Sequence, residues 1–337
     1  MKIIAVSMVK NESDIIESFI RNTLKYVDQI LILDHFSTDG TREILEYLKA
    51  EGLPLIIENA IRVDYVQSLI MTELIYKAKD ILHGDLILPI DADEFILPTS
   101  SDFRKKLHSY SPKYIYLIPS FITIPLNYNK EEFLLSGKHI QSLLPQEMKK
   151  IMIGRDILDK YHLGIAMGNH NLDVSNRIRK KITYKKVCDF YYAHFQIRSE
   201  QQYISKITNG WLTTLARPKK RKGEAFHWHK AFDIIKKRNI TKDDMITFLS
   251  DSGAFTKNEN IEFSSISKEI IRYSDKICVD PFRTVLATSE KISMEYSRNR
   301  IEGKPPIFFV KELYKSILNR LRNIYYRKIK GIPIERF

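Results

Sequence analysis

The stretch Ile3-Ile4-Ala5-Val6-Ser7-Met8-Val9 constrains this chain more than any other, because it is apolar at successive positions and not at alternate ones. A strand with one wet face alternates. A strand covered on both faces does not, and such strands belong to parallel sheets layered between helices. The run passes into Lys10-Asn11-Glu12-Ser13-Asp14, without a small-residue cleavage site, so it reads as a first strand and not a leader. Asn11 to Asp14 supply capping side chains, and Ile15, Ile16, Phe19, Ile20, Leu24 and Val27 then recur at helical spacing. The unit repeats. Gln29 to Leu33 reads as a strand, Asp34 to Gly40 as a polar turn, and Ile44, Leu45 and Leu48 as the inner face of a helix. Leu55-Ile56-Ile57 is the next strand, residues 64 to 82 a longer amphipathic helix, and Leu86 to Ile90 a fourth strand. This alternation predicts an α/β fold: a Rossmann-like, mostly parallel sheet flanked by helices.

The fourth strand leads into Asp91-Ala92-Asp93-Glu94. In an extended chain, side chains two apart point the same way, so Asp91 and Asp93 are expected to face one site. Oxygen ligands of this kind favour Mn²⁺ or Mg²⁺. A solvated acidic turn has the same sequence, and an isolated Asp-x-Asp does not separate the two readings. In open α/β sheets ligands bind beyond the carboxyl ends of the strands. Lys10-Asn11-Glu12, Asp34 with Ser37 to Thr41, and Asp91 to Glu94 are therefore expected to rim one crevice. Asn11 and Asp34 suit hydrogen bonds to a base or ribose, and helix N-termini favour phosphate. Ser37, Thr38 and Asp39 equally suit helix capping. The first turn lacks glycine, which excludes both the Gly-x-Gly-x-x-Gly dinucleotide fingerprint and a Walker A loop there.

Met8-Val9-Lys10-Asn11-Glu12, Ile32-Leu33-Asp34 with Ser37 to Thr41, and Asp91-Ala92-Asp93-Glu94-Phe95 resemble, in order, the motifs of family 2-like glycosyltransferases with a GT-A fold. His35-Phe36 departs from that pattern. The resemblance implies sugar transfer from a nucleoside diphosphate donor, uridine-linked, to a glycan or lipid-linked acceptor, as in bacterial surface polysaccharide synthesis, with inversion. It implies a nucleotide-sugar site of Val9, Asn11, Glu12, Asp34, Gln67, Asp91, Arg198 and Lys206. The implied metal ligands are Asp93 and Asp91, with His194, at the end of a strand over 187–195, completing the set ahead of His170. Asp93, His170 and Glu94 are the expected catalytic residues. Glu94, Asp156, His170 and Asp173 are the candidates for the base that deprotonates the acceptor.

Beyond residue 200, helices are expected over Gln202 to Leu215, Ala231 to Arg238 and Asp243 to Leu249, with Pro218 to Lys222 as a charged connector. Residues 1–200 are thus expected to form the catalytic domain and 201–337 a helical region. Trp211, Trp228, His227 and His229 read as packing or acceptor-wall residues, with no carboxylate spaced to join the histidines. From Pro306 the chain reads as a basic amphipathic helix, suited either to an anionic membrane surface or to docking on the domain. Lys and Arg number 54 against 41 acidic residues, a charge of +13 that favours anionic partners. Cys188 and Cys278 form no Cys-x-x-Cys pair or metal-type spacing and read as buried or free thiols, which points to a reducing, cytoplasmic setting. A nucleotidyltransferase would use similar carboxylates but release pyrophosphate. A non-catalytic protein binding nucleic acid or membrane through its basic surface is the reading from another class, and no nucleic-acid motif supports it.

Overall fold

A computed structural model describes residues 1–61, 67–125, 138–143, 149–216, 225–251, 258–262, 271–273 and 280–301. The connector 218–222, Cys278 and the expected terminal helix from Pro306 lie outside the described residues. The apolar runs form β1 (Ile3–Val9), β2 (Gln29–Asp34), β3 (Leu55–Asn59) and β4 (Leu86–Pro89), separated by α1 (Ile16–Leu24), α2 (Thr41–Ala50) and α3 (Gln67–Asp80). There follow β5 (Glu94–Pro98), α4 (Phe103–Leu107), β6 (Ile115–Ile118), β7 (Ser120–Pro125), β8 (Lys138–Leu143), β9 (Lys150–Gly154) and α5 (Arg155–Tyr161). Next come β10 (Gly164–Ile165), β11 (Leu172–Asp173), α6 (Asn176–Arg179), β12 (Tyr184–Lys186) and β13 (Phe190–His194). Helices α7 (Glu200–Leu215), α8 (Phe226–Lys237) and α9 (Lys242–Asp251), strand β14 (Asn258–Glu262) and helix α10 (Pro281–Ile301) complete the described elements.

The central sheet has seven strands in the order β12-β6-β9-β4-β1-β2-β3. β4, β1, β2 and β3 are mutually parallel, and β12 is parallel to β6. β9 runs antiparallel to both of its neighbours. Successive residues of β1 enter different cores. Ile3, Ala5 and Val9 pack with Phe19 and Ile20 of α1 and Ile44 of α2, whereas Ile4 and Val6 pack with Met71, Leu74 and Ile75 of α3. Both faces are covered by helices, which is the physical reason for apolar residues at successive positions; each fully buried Ile or Val side chain contributes about 1.5–3 kcal/mol by leaving water. A second sheet, ordered β14-β8-β7-β13-β5, adjoins the first through the turn between β4 and β5. Among the described residues no helix is long and apolar enough to cross a membrane.

The expected helices after residue 200 are present, and α7 begins two residues early because the Ser199 hydroxyl accepts the Gln202 N–H at 3.1 Å. One local expectation fails. Asn11 to Asp14 do not cap α1 with their side chains. The Glu12 carbonyl accepts the N–H groups of Ile15 and Ile16 at 3.0 and 2.8 Å. The polar side chains are drawn instead into contacts between loops: Asn11 Oδ1 accepts the Thr38 N–H at 2.8 Å, and the Ser13 N–H is taken by Asp39 Oδ2 at 3.0 Å. Two strand-end loops are thereby tied to each other.

At the far end of β9, Gly154 donates its N–H to Tyr114 at 3.0 Å, and a Cβ there would lie 2.1 Å from the Pro112 carbonyl oxygen. Backbone cannot yield as a flexible side chain does. Gly154→Ala is expected to cost about 1–3 kcal/mol in urea denaturation. An unchanged midpoint would contradict this packing.

Candidate active site

A cavity of about 440 Å³ opens at the carboxyl ends of β1 and β4 and is closed on its other side by α7 and α8. Of the sequence candidates, Val9, Asn11, Glu12, Gln67, Asp91, Asp93, His170, His194 and Lys206 line it. Asn11 sits in the left-handed region at φ 56°, and its Nδ2 is buried without a hydrogen-bond partner. The carbonyl of Val9 accepts the His35 N–H at 2.8 Å, which fixes the lip of the cavity.

The chain does not stay extended through Asp91-Ala92-Asp93. The Asp91 carbonyl accepts the Glu94 N–H at 3.0 Å, so these residues form a turn and the two aspartates take different partners. Asp91 Oδ1 accepts from Gln67 Nε2 at 3.2 Å and Asn169 Nδ2 at 3.0 Å, while Oδ2 accepts from Lys150 Nζ at 2.8 Å. Asp93 Oδ2 accepts from Lys206 Nζ at 2.5 Å, and its Oδ1 lies 3.1 Å from His194 Nε2. Burial alone would raise the pKa of Asp93, but the Lys206 ammonium and then His194 overrule it and hold the carboxyl well below its ordinary range. Asp93 is thus a fixed negative charge in the cavity wall.

Lys150 went unnoticed in the sequence, although a lysine directly ahead of the buried run Ile151-Met152-Ile153 is a signal. It is 2% exposed and bridges Asp91 and Glu94 Oε1, each at 2.8 Å. Burial lowers its pKa, and the two carboxylates more than reverse that. Glu94, expected to be catalytic, lies beneath the turn and outside the cavity: it is fully buried, and its Oε2 accepts the Asp91 N–H at 3.2 Å.

Arg198 also departs from expectation. Its Nε and Nη2 meet the two oxygens of Asp14 at 2.7 and 2.8 Å, Nη2 also reaches Glu12, and Nη1 donates to the Phe195 carbonyl at 3.2 Å. It is 3% exposed, outside the cavity lining, and these bonds engage the guanidinium that was expected to meet phosphate. Burial pushes the Glu12 carboxyl up to about 7; Arg198 and Lys206 oppose the rise, while Asp93 and Asp14 add to it. Asp34 is likewise buried outside the lining, where its Oδ1 accepts the Ser37 N–H at 3.1 Å and shapes the loop beneath the rim.

Gln67 Oε1 accepts the Gly168 N–H at 3.0 Å, which ties α3 to the turn carrying Asn169 and His170. Gly168 has φ 75°, and a Cβ there would lie 2.6 Å from the His170 ring, so glycine lets the imidazole fold back. Asp156 and Asp173 are exposed and outside the cavity. His170 alone of the four base candidates lines it. A carboxylate does join the later histidines: Asp233 Oδ2 lies 3.3 Å from His229 Nε2, one helical turn away, while Trp211 stacks on the His229 ring at 4.6 Å.

Among the described residues, no group of three or more His, Cys, Asp or Glu side chains forms a ready-made metal cage. Asp91 is occupied by nitrogen donors. The 3.1 Å between Asp93 Oδ1 and His194 Nε2, however, suits two adjacent ligands of an octahedral cation, each about 2.1 Å from it. Such ions commonly take one or two protein ligands and complete their shell with water and phosphate. Asp93 and His194 fit Mn²⁺ or Mg²⁺ on those terms, without Asp91.

Lys150→Met leaves buried carboxylates without their cation and is expected to lower stability by about 3–5 kcal/mol in denaturant titrations. The deficit should shrink as pH falls and Glu94 becomes protonated. Stability equal to the parent would refute the role given to Lys150.

No protein-family model matches the chain, and no curated protein matches it. Among solved structures, TarS 1-349 from S. aureus is similar with a TM-score of 0.39 and 12% identity, over 74% of this chain and 78% of that one. The mannosyltransferase PcManGT from Pyrobaculum calidifontis, in complex with GDP-Man and Mn²⁺, has a TM-score of 0.38 and 10% identity, over 97% and 88% of the two chains. A protein described as a glucose-1-phosphate thymidylyltransferase, from Bacillus anthracis, has a TM-score of 0.33 and 11% identity, over 64% of this chain and 95% of its own.

Proposed function

We propose that the chain transfers a sugar from a nucleoside diphosphate donor, uridine-linked, to a hydroxyl of a glycan or lipid-linked acceptor. The observation that carries this reading is the meeting of Asp93, His194 and Lys206 in one cavity at the carboxyl ends of parallel strands. Asn11, in the cavity lining beside Lys10, suits contact with the base or ribose. Lys10 and Lys206, both in the cavity lining, supply cations for the diphosphate. As the bond between the anomeric carbon and the diphosphate breaks, negative charge grows on the leaving oxygen, and Lys206 is held by Asp93 where it can donate to that oxygen. Asp93 and His194 would hold Mn²⁺ or Mg²⁺, which when bound supplies Lewis-acid charge to the same group.

The acceptor hydroxyl loses its proton as it attacks, and His170 takes it. A single displacement of this kind inverts the anomeric centre. Asp91 holds the scaffold: through Asn169 and Gln67 it fixes the turn that presents His170.

With a panel of nucleotide sugars and Mn²⁺, the chain is expected to release nucleoside diphosphate, and Asp93→Asn to slow that release about 10²–10³-fold. Supplied instead with a nucleoside triphosphate and a sugar 1-phosphate, release of pyrophosphate would point to nucleotidyl transfer. No turnover with any donor, or an unaffected Asp93→Asn, would overturn the proposal.

Lys10 adds a pH dependence. Burial first, and then the like charge of Lys291, lower its pKa to about 8, with Asp34 opposing. Below that pH it is a cation; above it the charge is lost. UDP affinity measured by calorimetry should therefore weaken about tenfold as pH rises from about 7 to 9, the loss of one charge-assisted hydrogen bond. Lys10→Gln should bind more weakly at about pH 7 and lose the part of the decline centred at about pH 8, while ionisation of Glu12, pushed up to about 7 in the same lining, leaves a smaller decline below it.

A further inference from the structure

The helical wall of the cavity is built for a different ligand chemistry than the strand wall. A Cβ on Gly210 of α7 would lie 1.5 Å from Cζ3 of Trp228 on α8, so the indole rests directly on the backbone of α7. Trp228 is half-buried and lines the cavity. Beside it, Asn209 is 4% exposed and donates Nδ2 to the Ser205 carbonyl at 2.8 Å and the Thr284 hydroxyl at 3.2 Å. Those bonds set the orientation of the amide and leave its Oδ1 buried without a hydrogen-bond partner. Gln196, also in the lining, has a buried Oε1 in the same condition. Thr213 and Thr214 donate their hydroxyls to the carbonyls of Asn209 and Gly210, each at 2.8 Å.

This wall joins a flat aromatic surface to two neutral amide side chains, Asn209 and Gln196, with no carboxylate among these residues. Neutral amides both donate and accept, which suits a ligand rich in hydroxyls and carrying no charge. A pyranose ring has both requirements: an apolar C–H face for the indole and hydroxyl donors around its edge. Lys206, which holds Asp93, lies one helical turn before Gly210 on α7, so a sugar on this wall adjoins the proposed reacting centre.

We propose that Trp228 seated on Gly210, with Asn209 and Gln196, forms a subsite for a neutral pyranose unit of the acceptor glycan. Its assignment as the acceptor site rests on the transfer reading above; its capacity to bind sugar does not.

The full chain, saturated with UDP and Mn²⁺, is probed on a printed array of neutral α- and β-linked oligosaccharides, and the strongest ligand is then titrated in solution. Wild type is expected to bind, Trp228→Ala to lose at least tenfold in affinity, and Trp228→Phe to keep part of it. UDP affinity in the same samples separates two failures. Sugar binding without UDP binding would leave the subsite standing and remove the transfer reading. UDP binding with no sugar bound, or with Trp228→Ala binding as wild type does, would overturn the subsite. The sequence has only 2 tryptophans, so Trp211→Phe makes Trp228 the sole indole reporter. Should Trp228→Ala not fold, fluorescence quenching by the oligosaccharide in Trp211→Phe decides the matter, and an unquenched indole at saturating sugar overturns the proposal.

Discussion

One ammonium group, that of Lys150, neutralises Asp91 on the cavity side of the β4–β5 turn and Glu94 beneath it. Holding a fully buried carboxylate so close to a second, partly buried one is unfavourable unless a cation lies between them. The direction of β9 supplies it. In its antiparallel register with β4, Ile153 stands opposite Ile87 and Gly154 opposite Leu86, so the start of β9 lies where β4 ends. A parallel strand would present its other end there. The reversed strand within a mostly parallel sheet is therefore what delivers Lys150 to the turn.

His194 arrives by the same kind of argument. β13 pairs antiparallel with β5, and its last residue stands opposite Glu94, which leaves the imidazole within 3.1 Å of Asp93. Helix α7 follows shortly after and brings Lys206 to the other oxygen of that carboxylate. Charge in the site is thus divided into adjoining clusters, with His194 Nδ1 lying 3.9 Å from Glu94 Oε1 between two of them. Lys150 serves the turn and its scaffold, Arg198 joins Asp14 to Glu12, and Asp93 is shared between Lys206 and His194. Only the last of these joins two cavity-lining donors at the spacing of adjacent metal ligands.

Much of the architecture was legible because its signals are local. Apolar residues at six of the seven positions of Ile3–Val9 report two covered faces, and the spacing of Phe19, Ile20 and Leu24 reports a helix, whatever the rest of the chain does. Site partners are not local. Lys150 is 59 residues from Asp91, Asn169 is 78 residues from it, and Asp14 is 184 residues from Arg198. A basic residue near a phosphate-type motif reads alike whether it lines the cavity, as Lys206 does, or is engaged by carboxylates outside the lining, as Arg198 is. Glu94 was misread for the opposite reason: proximity in sequence to Asp93 suggested a common role, and a tight turn sends the two side chains to different environments.

The sequence by itself determined the strands and helices of the sheet and the gathering of polar segments beyond the carboxyl ends of its strands, because periodicity and turn chemistry act over a few residues. Tertiary structure alone decided which carboxylate meets which cation, that Asp91 bonds Gln67, Asn169 and Lys150 while Asp93 meets Lys206 and His194, and that Trp228 lies on Gly210. Those outcomes depend on strand direction, register and helix packing between distant segments, and electrostatic partners within about 3 Å are chosen by that geometry and not by residue type.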